Sequence, residues 1–121
     1  MKARDPEEIM DELEDYLGEY LILSRDSGAI KKSDTDLSAE KLVESFYGSI
    51  IIAKNEWDDF ESDISTYTEL AKRLDLTEDS VTKAHQRLRD KGVLQKTDGN
   101  DLGHKITDGG LQKLLEDIKH E

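Results

Sequence analysis

Apolar positions recur along this chain in blocks whose period identifies the elements they build. Ile9, Leu13, Tyr16, Tyr20 and Leu23 follow one another at steps of 4, 3, 4 and 3. That spacing predicts a heptad-like seam on one face of a helix running to about Leu23. Its start is well marked, because Asp5 can cap, Pro6 suits a first turn, and Glu7 and Glu8 complement the helix dipole. Gly18 weakens the segment by about 1 kcal/mol relative to alanine. Ser24 to Asp36 has no period and is rich in Ser, Asp and Lys, which predicts a loop long enough to let the next helix fold back on the first.

Ser38 caps a second, longer predicted helix. Ala39, Val43, Phe46, Ile50, Ala53, Trp57 and Phe60 alternate steps of 4 and 3, and Leu42, Tyr47, Ile51 and Ile52 widen the stripe. A helix apolar over that much of its circumference needs more than one neighbour. The expected neighbours are the first helix, the C-terminal part of the chain and a second subunit. The chain accordingly divides into residues 1–37, a packing and dimerisation segment, and residues 38–121, a domain opened by a long helix over 38–62.

Shorter elements follow. Thr66 and Glu69 stand at capping-box spacing ahead of Leu70, Ala71 and Leu74, predicting a helix of about two and a half turns. Asp75-Leu76 makes a tight turn and Thr77 caps a further helix over about 78–91, in which Val81, Ala84 and Leu88 face inward. Asp79, Lys83, Gln86 and Asp90 lie opposite them, flanked by Ser80, Thr82 and Arg87. Gly92 ends that helix as a left-handed cap. Val93 to Lys96 and Leu102 to Ile106 read as two strands joined by Asp98-Gly99 hairpin chemistry. Thr107 caps a last helix carrying Leu111, Leu114, Leu115 and Ile118 on one face.

Helix, tight turn, helix, two-stranded hairpin, helix is the element order of a winged helix-turn-helix. The pattern T-x-x-E-L-A-x-x-L-x-L-T-x-x-S-V, followed by L-x-x-x-G-V-L, resembles the helix-turn-helix of MarR-, PadR- and GntR-type regulators. KITDGGLQKLL, Lys105 to Leu115, resembles the wing-to-helix junction of the MarR and PadR types. The resemblance covers about Ser45 to Ile118. It implies a mainly α (α+β) winged-helix fold preceded by helical segments, and a dimeric transcriptional regulator that binds double-stranded DNA. The helix over 78–91 would enter the major groove and the wing over 95–106 would rest on the backbone. Ser80, Thr82, Lys83, Gln86 and Arg87 are then the candidate groove contacts. Lys96, His104 and Lys105 are the candidate wing contacts, with Lys72, Arg73, Arg89 and Lys91 as further phosphate ligands.

Charge changes this picture. The 121 residues carry a formal net charge of −12. Residues 1–63 hold 7 Lys and Arg against 18 Asp and Glu, whereas residues 64–121 hold 10 against 11. The acid therefore belongs to the N-terminal half, and the candidate reading head is nearly neutral, without the basic stripe of an avid non-specific binder. Such acidity also fits a saline cytoplasm, an adaptor docking proteins through an acidic face, or a DNA mimic. With 12 Lys to 5 Arg, extreme halophily fits poorly.

Other chemistries find little support. There is no cysteine, which excludes disulfides and thiolate metal sites. No apolar run approaches a membrane span and no leader-like segment opens the chain, so a cytoplasmic, soluble protein is the expectation. His85, His104 and His120 lack ligand spacing, and His85 is expected to pack at the edge of the buried helix face. A calcium loop begun at Asp98 would place Gly109 where a bidentate Glu is required. No phosphate loop, dinucleotide fingerprint or nucleophile motif occurs, so neither an enzyme nor a cofactor is expected. Tyr16, Tyr20, Phe46, Tyr47 and Trp57 could line an effector pocket, although aromatics at helical spacing more often build plain core.

Overall fold

The computed structural model describes residues 6–18, 21–24, 28–31, 37–57, 59–60, 64, 66–97 and 103–119. In chain order the elements are α1 (Pro6–Leu17), β1 (Leu21–Ser24), β2 (Gly28–Lys31), α2 (Ala39–Glu56), α3 (Tyr67–Leu74), α4 (Glu78–Asp90), β3 (Leu94–Lys96), β4 (His104–Ile106) and α5 (Asp108–Lys119). The described residues are thus mainly helical, with two small antiparallel sheets, β1–β2 and β3–β4.

The N-terminal segment departs from its sequence pattern. The first helix stops at Leu17 rather than near Leu23, and its last turn closes with Gly18 N–H donating to the Glu14 carbonyl at 3.0 Å. Beyond it the chain forms a hairpin with Leu21 opposite Lys31 and Ile22 opposite Ile30. Leu21 is buried while Ile22 is 54% exposed, the alternation of a strand. Residues 28–31, expected as loop, supply the second strand. A strand of this kind needs a partner to satisfy its backbone groups, and helical periodicity in one segment carries no trace of a partner further along the chain.

α2 is the central element. Ser38 caps it, accepting from the Lys41 N–H at 3.3 Å. Every residue from Leu42 to Ile50 is buried, including Glu44, Ser45 and Ser49. Helix α2 packs against α1, α4, α5, β1, β2 and β4. The broad apolar stripe that pointed to a second subunit is therefore covered by elements of the same chain. The helix ends at Glu56, short of the expected 62, because Trp57 leaves helical geometry with φ −124° and ψ 109°. Phe60 is still buried, since a turn closed by its N–H on the Trp57 carbonyl at 3.0 Å folds it back beside the tryptophan ring. One apolar core runs from Leu17 and Leu21 through α2 to Leu70, Leu74, Val81, Leu88, Val93, Ile106 and Leu114.

Candidate nucleic-acid interface

Local chemistry sets the geometry of α3 and α4. Thr66 caps α3, accepting from the Glu69 N–H at 3.1 Å. Asp75 ends it in the left-handed region, φ 55° and ψ 49°, and the Leu76 N–H returns to the Ala71 carbonyl at 2.8 Å. Aspartate tolerates this conformation better than most residues with a Cβ. The result is a two-residue turn that delivers Thr77 as the cap of α4. Thr77 Oγ1 accepts from the Ser80 N–H at 3.1 Å and donates to Ser80 Oγ at 2.8 Å. Thr68 Oγ1 donates to Glu78 Oε2 at 2.9 Å, a further tie between the two helices.

The far end of α4 is equally specified. Gly92 sits at φ 76° and its N–H reaches the Arg89 carbonyl, while the Val93 N–H reaches the Leu88 carbonyl at 2.9 Å. These two bonds form a Schellman motif, and the buried side chains of Leu88 and Val93 complete it. Strand β3 leaves from this point and β4 returns with Leu94 opposite Ile106, Gln95 opposite Lys105, and Lys96 opposite His104. The expected Asp98–Gly99 turn lies outside the described residues. Thr107 then makes the junction to α5. Its N–H donates to the Val93 carbonyl at 2.9 Å, its hydroxyl donates to the Gly92 carbonyl at 2.9 Å, and its Oγ1 accepts from the Gly110 N–H at 3.0 Å.

On α4 the faces separate as the periodicity predicts. Val81, Ala84, His85 and Leu88 are buried; Lys83, Gln86 and Arg87 are exposed; Ser80 and Thr82 are half-buried. Thr82 Oγ1 donates to the Glu78 carbonyl at 3.1 Å. Lys83 Nζ lies 3.1 Å from Asp79 Oδ2, an exposed i, i+4 ion pair that partly neutralises the face. Lys96 and Lys105 are exposed on the second hairpin, and Lys72 on α3. Arg73 and Arg89 are half-buried. Lys91 Nζ bonds Glu40 Oε2 at 2.8 Å, tying the end of α4 to the start of α2.

His104 departs from its expected place on the exposed wing. It shares a strand face with Ile106 and is buried with it. The period of two along β4, with His104 and Ile106 in phase, carried that signal.

Beneath the exposed face lies a cluster of polar rings that the sequence pattern did not reveal. His85 Nδ1 lies 2.8 Å from the Val81 carbonyl, and Nε2 lies 2.7 Å from the Tyr47 hydroxyl. A carbonyl can only accept, so Nδ1 carries the proton and the Tyr47 hydroxyl donates to Nε2. Tyr67 stacks on the imidazole with centroids 4.3 Å apart, and the His104 ring stands at 5.1 Å. Burial pushes the His85 imidazole down to about 4, reinforced by His104 and Arg89 and opposed by the bond to Val81. Burial also raises the Tyr67 phenol, against the pull of Arg89.

The remaining sites divide simply. Phe46 and Tyr47 are core residues at 1% and 2% exposure, Trp57 is half-buried, and the side chains of Tyr16 and Tyr20 lie outside the described residues. No group of three metal-ligating side chains occurs among the described residues. No described helix is long and apolar enough to cross a membrane. Compared with known protein families, curated proteins and solved structures, the chain shows no match.

Proposed function

We propose that the chain is a winged-helix DNA-binding regulator in which α4 is the reading helix and the β3–β4 hairpin is the wing. The observation that carries this is the division of α4. Its inner row is fixed in the core through Val81, Ala84, His85 and Leu88, while Lys83, Gln86 and Arg87 project outward ahead of a hairpin bearing exposed Lys96 and Lys105. A rigidly seated helix with long donors on its free face is what base-edge contact in a major groove requires. The capped N-terminus of α4, with Ser80 and Thr82 beside it, suits a phosphate. A homodimer rests on the family resemblance alone, because α2 is covered within one chain.

A specific observation favours a second reading, an acidic winged-helix adaptor that docks a basic protein. Glu78, Asp79 and Asp90 are exposed on the same helix, and Asp79 engages Lys83. Fluorescence anisotropy separates the two. A labelled duplex from the gene's own upstream region is compared with a scrambled duplex across a salt series. The regulator binds the native duplex preferentially, with an affinity that falls as salt rises. Absence of binding to either duplex at low salt would leave the adaptor.

A further inference from the structure

Four rings from four elements meet in the core: Tyr47 of α2, Tyr67 of α3, His85 of α4 and His104 of β4. Neutral His85 satisfies both nitrogens there, donating to Val81 and accepting from Tyr47. A proton added at Nε2 converts an acceptor into a donor, so the bond in which the Tyr47 hydroxyl donates to His85 is lost. The new charge faces His104 from β4 and Arg89 from α4 itself. Tyr67 offers it a ring face with centroids 4.3 Å apart. Loss of solvation is the larger effect and leaves the charged form disfavoured. Of the other ionisable groups nearby in the chain, Lys96 on β3 and Lys105 on β4 are exposed, and Glu44, buried on α2, holds Lys41 at 3.4 Å.

The remaining inward residues of α4 are Val81, Ala84 and Leu88, two of them small, so the imidazole is the buried polar contact across the α2–α4 junction, whose exposed end carries the Lys91–Glu40 pair. We propose that the Tyr47–His85 bond is an acid-released latch. Protonation of His85 undocks α4 from α2 and loosens α4 and the β3–β4 hairpin, while α2 keeps its packing against α1 and α5. The device belongs to the fold and acts whatever surface α4 presents, so it stands apart from DNA binding.

The magnitude follows from proton linkage. With His85 near 4 in the closed form and about 6.5 when released, opening rises roughly 30-fold between pH 7.5 and pH 5. Amide hydrogen exchange on the full chain at both pH values, corrected for the intrinsic rate, reads this directly. The expected result is a roughly 30-fold rise in opening over Val81–Leu88 and β3–β4, with the central turns of α2 unchanged. His85→Phe should reduce that rise to less than about threefold, and Tyr47→Phe should raise opening at pH 7.5 by about fivefold through loss of one hydrogen bond. An equal rise in α2 would mean general acid unfolding and would overturn the latch. So would no rise at all, or a rise that survives His85→Phe. The wild-type comparison decides alone if the phenylalanine variant does not fold.

Discussion

Gly109 and Gly110 are adjacent, both helical and both in the first turn of α5, yet the structure assigns them opposite responses to alanine. A Cβ on Gly110 would stand 2.6 Å from the Val93 carbonyl oxygen and 3.0 Å from both Thr107 Oγ1 and Val93 Cγ1. The nearest of these is backbone, held by the Thr107 N–H, and cannot rotate away. Overpacking of this kind costs about 1–3 kcal/mol. A Cβ on Gly109 meets nothing within 4 Å, so alanine there gains up to about 1 kcal/mol of helix propensity and reduced chain entropy. The two single variants should therefore differ by about 1–4 kcal/mol in urea unfolding, with Gly110→Ala below wild type and Gly109→Ala at or above it. Equal midpoints for the two variants, or a stabilised Gly110→Ala, would refute the close approach of α5 to the Val93 carbonyl. Circular dichroism melts of both proteins check the same ordering.

Other consequences can be measured on the same scale. Thr107→Val removes the α5 cap and the bond to the Gly92 carbonyl, and should cost about 1–2 kcal/mol in chemical denaturation. The His85 imidazole is depressed to about 4 in the folded chain, so its contribution is complete above about pH 6.5 and is lost as pH falls toward 4, on the order of 3 kcal/mol in all. Subtracting the His85→Phe stability from wild type at pH 7.5 and pH 4.5 removes the carboxylate background, and a difference independent of pH would contradict the buried neutral imidazole. If α4 reads DNA, Lys83→Ala and Arg87→Ala should each weaken duplex binding several-fold with unchanged melting temperature, since both side chains are exposed. Asp79→Asn, which frees Lys83 from its partner, should strengthen binding a few-fold, and anisotropy titrations at one fixed salt concentration would show either sign.

What the sequence made legible here was mostly local. Ser38, Thr66, Thr77 and Thr107 were readable as caps because a hydroxyl before an apolar-periodic run has one efficient use, and Gly92 because a left-handed residue must follow α4. The T-x-x-G spacing of Thr107 and Gly110 also has a physical cause: the threonine binds the end of α4 and the glycine leaves room for it. Pairing was not local, and there the pattern misled. Leu23 continued a helical spacing, but Leu21 to Ser24 pairs as a strand with Gly28 to Lys31. His104 was assigned by its chemistry to solvent, although its phase with Ile106 assigned it to the core. The ring cluster joins residues up to 57 positions apart, Tyr47 to His104, and no spacing rule connects such residues.

The placement of charge bears on how a polyanion could be approached at all. Helix α1 exposes Glu8, Asp11, Glu14 and Asp15, and packs on α2 and α5. Helix α4 packs on α2, α3 and β3, so the acidic helix and the candidate reading helix share α2 as their common support. Exposed charges separated by more than about 8–10 Å are largely screened at physiological salt. If α4 reads DNA, the acid of α1 adds repulsion for a duplex that approaches α1 instead, an effect that salt screens. On α4 itself the balance is different, because Asp79 and Asp90 flank the donors at close range. If α4 reads DNA, affinity in that arrangement has to come from base-edge and hydroxyl contacts more than from phosphate neutralisation, which predicts a shallow salt dependence. A steep one, corresponding to six or more phosphate contacts, would require basic residues beyond those α4 and the hairpin expose.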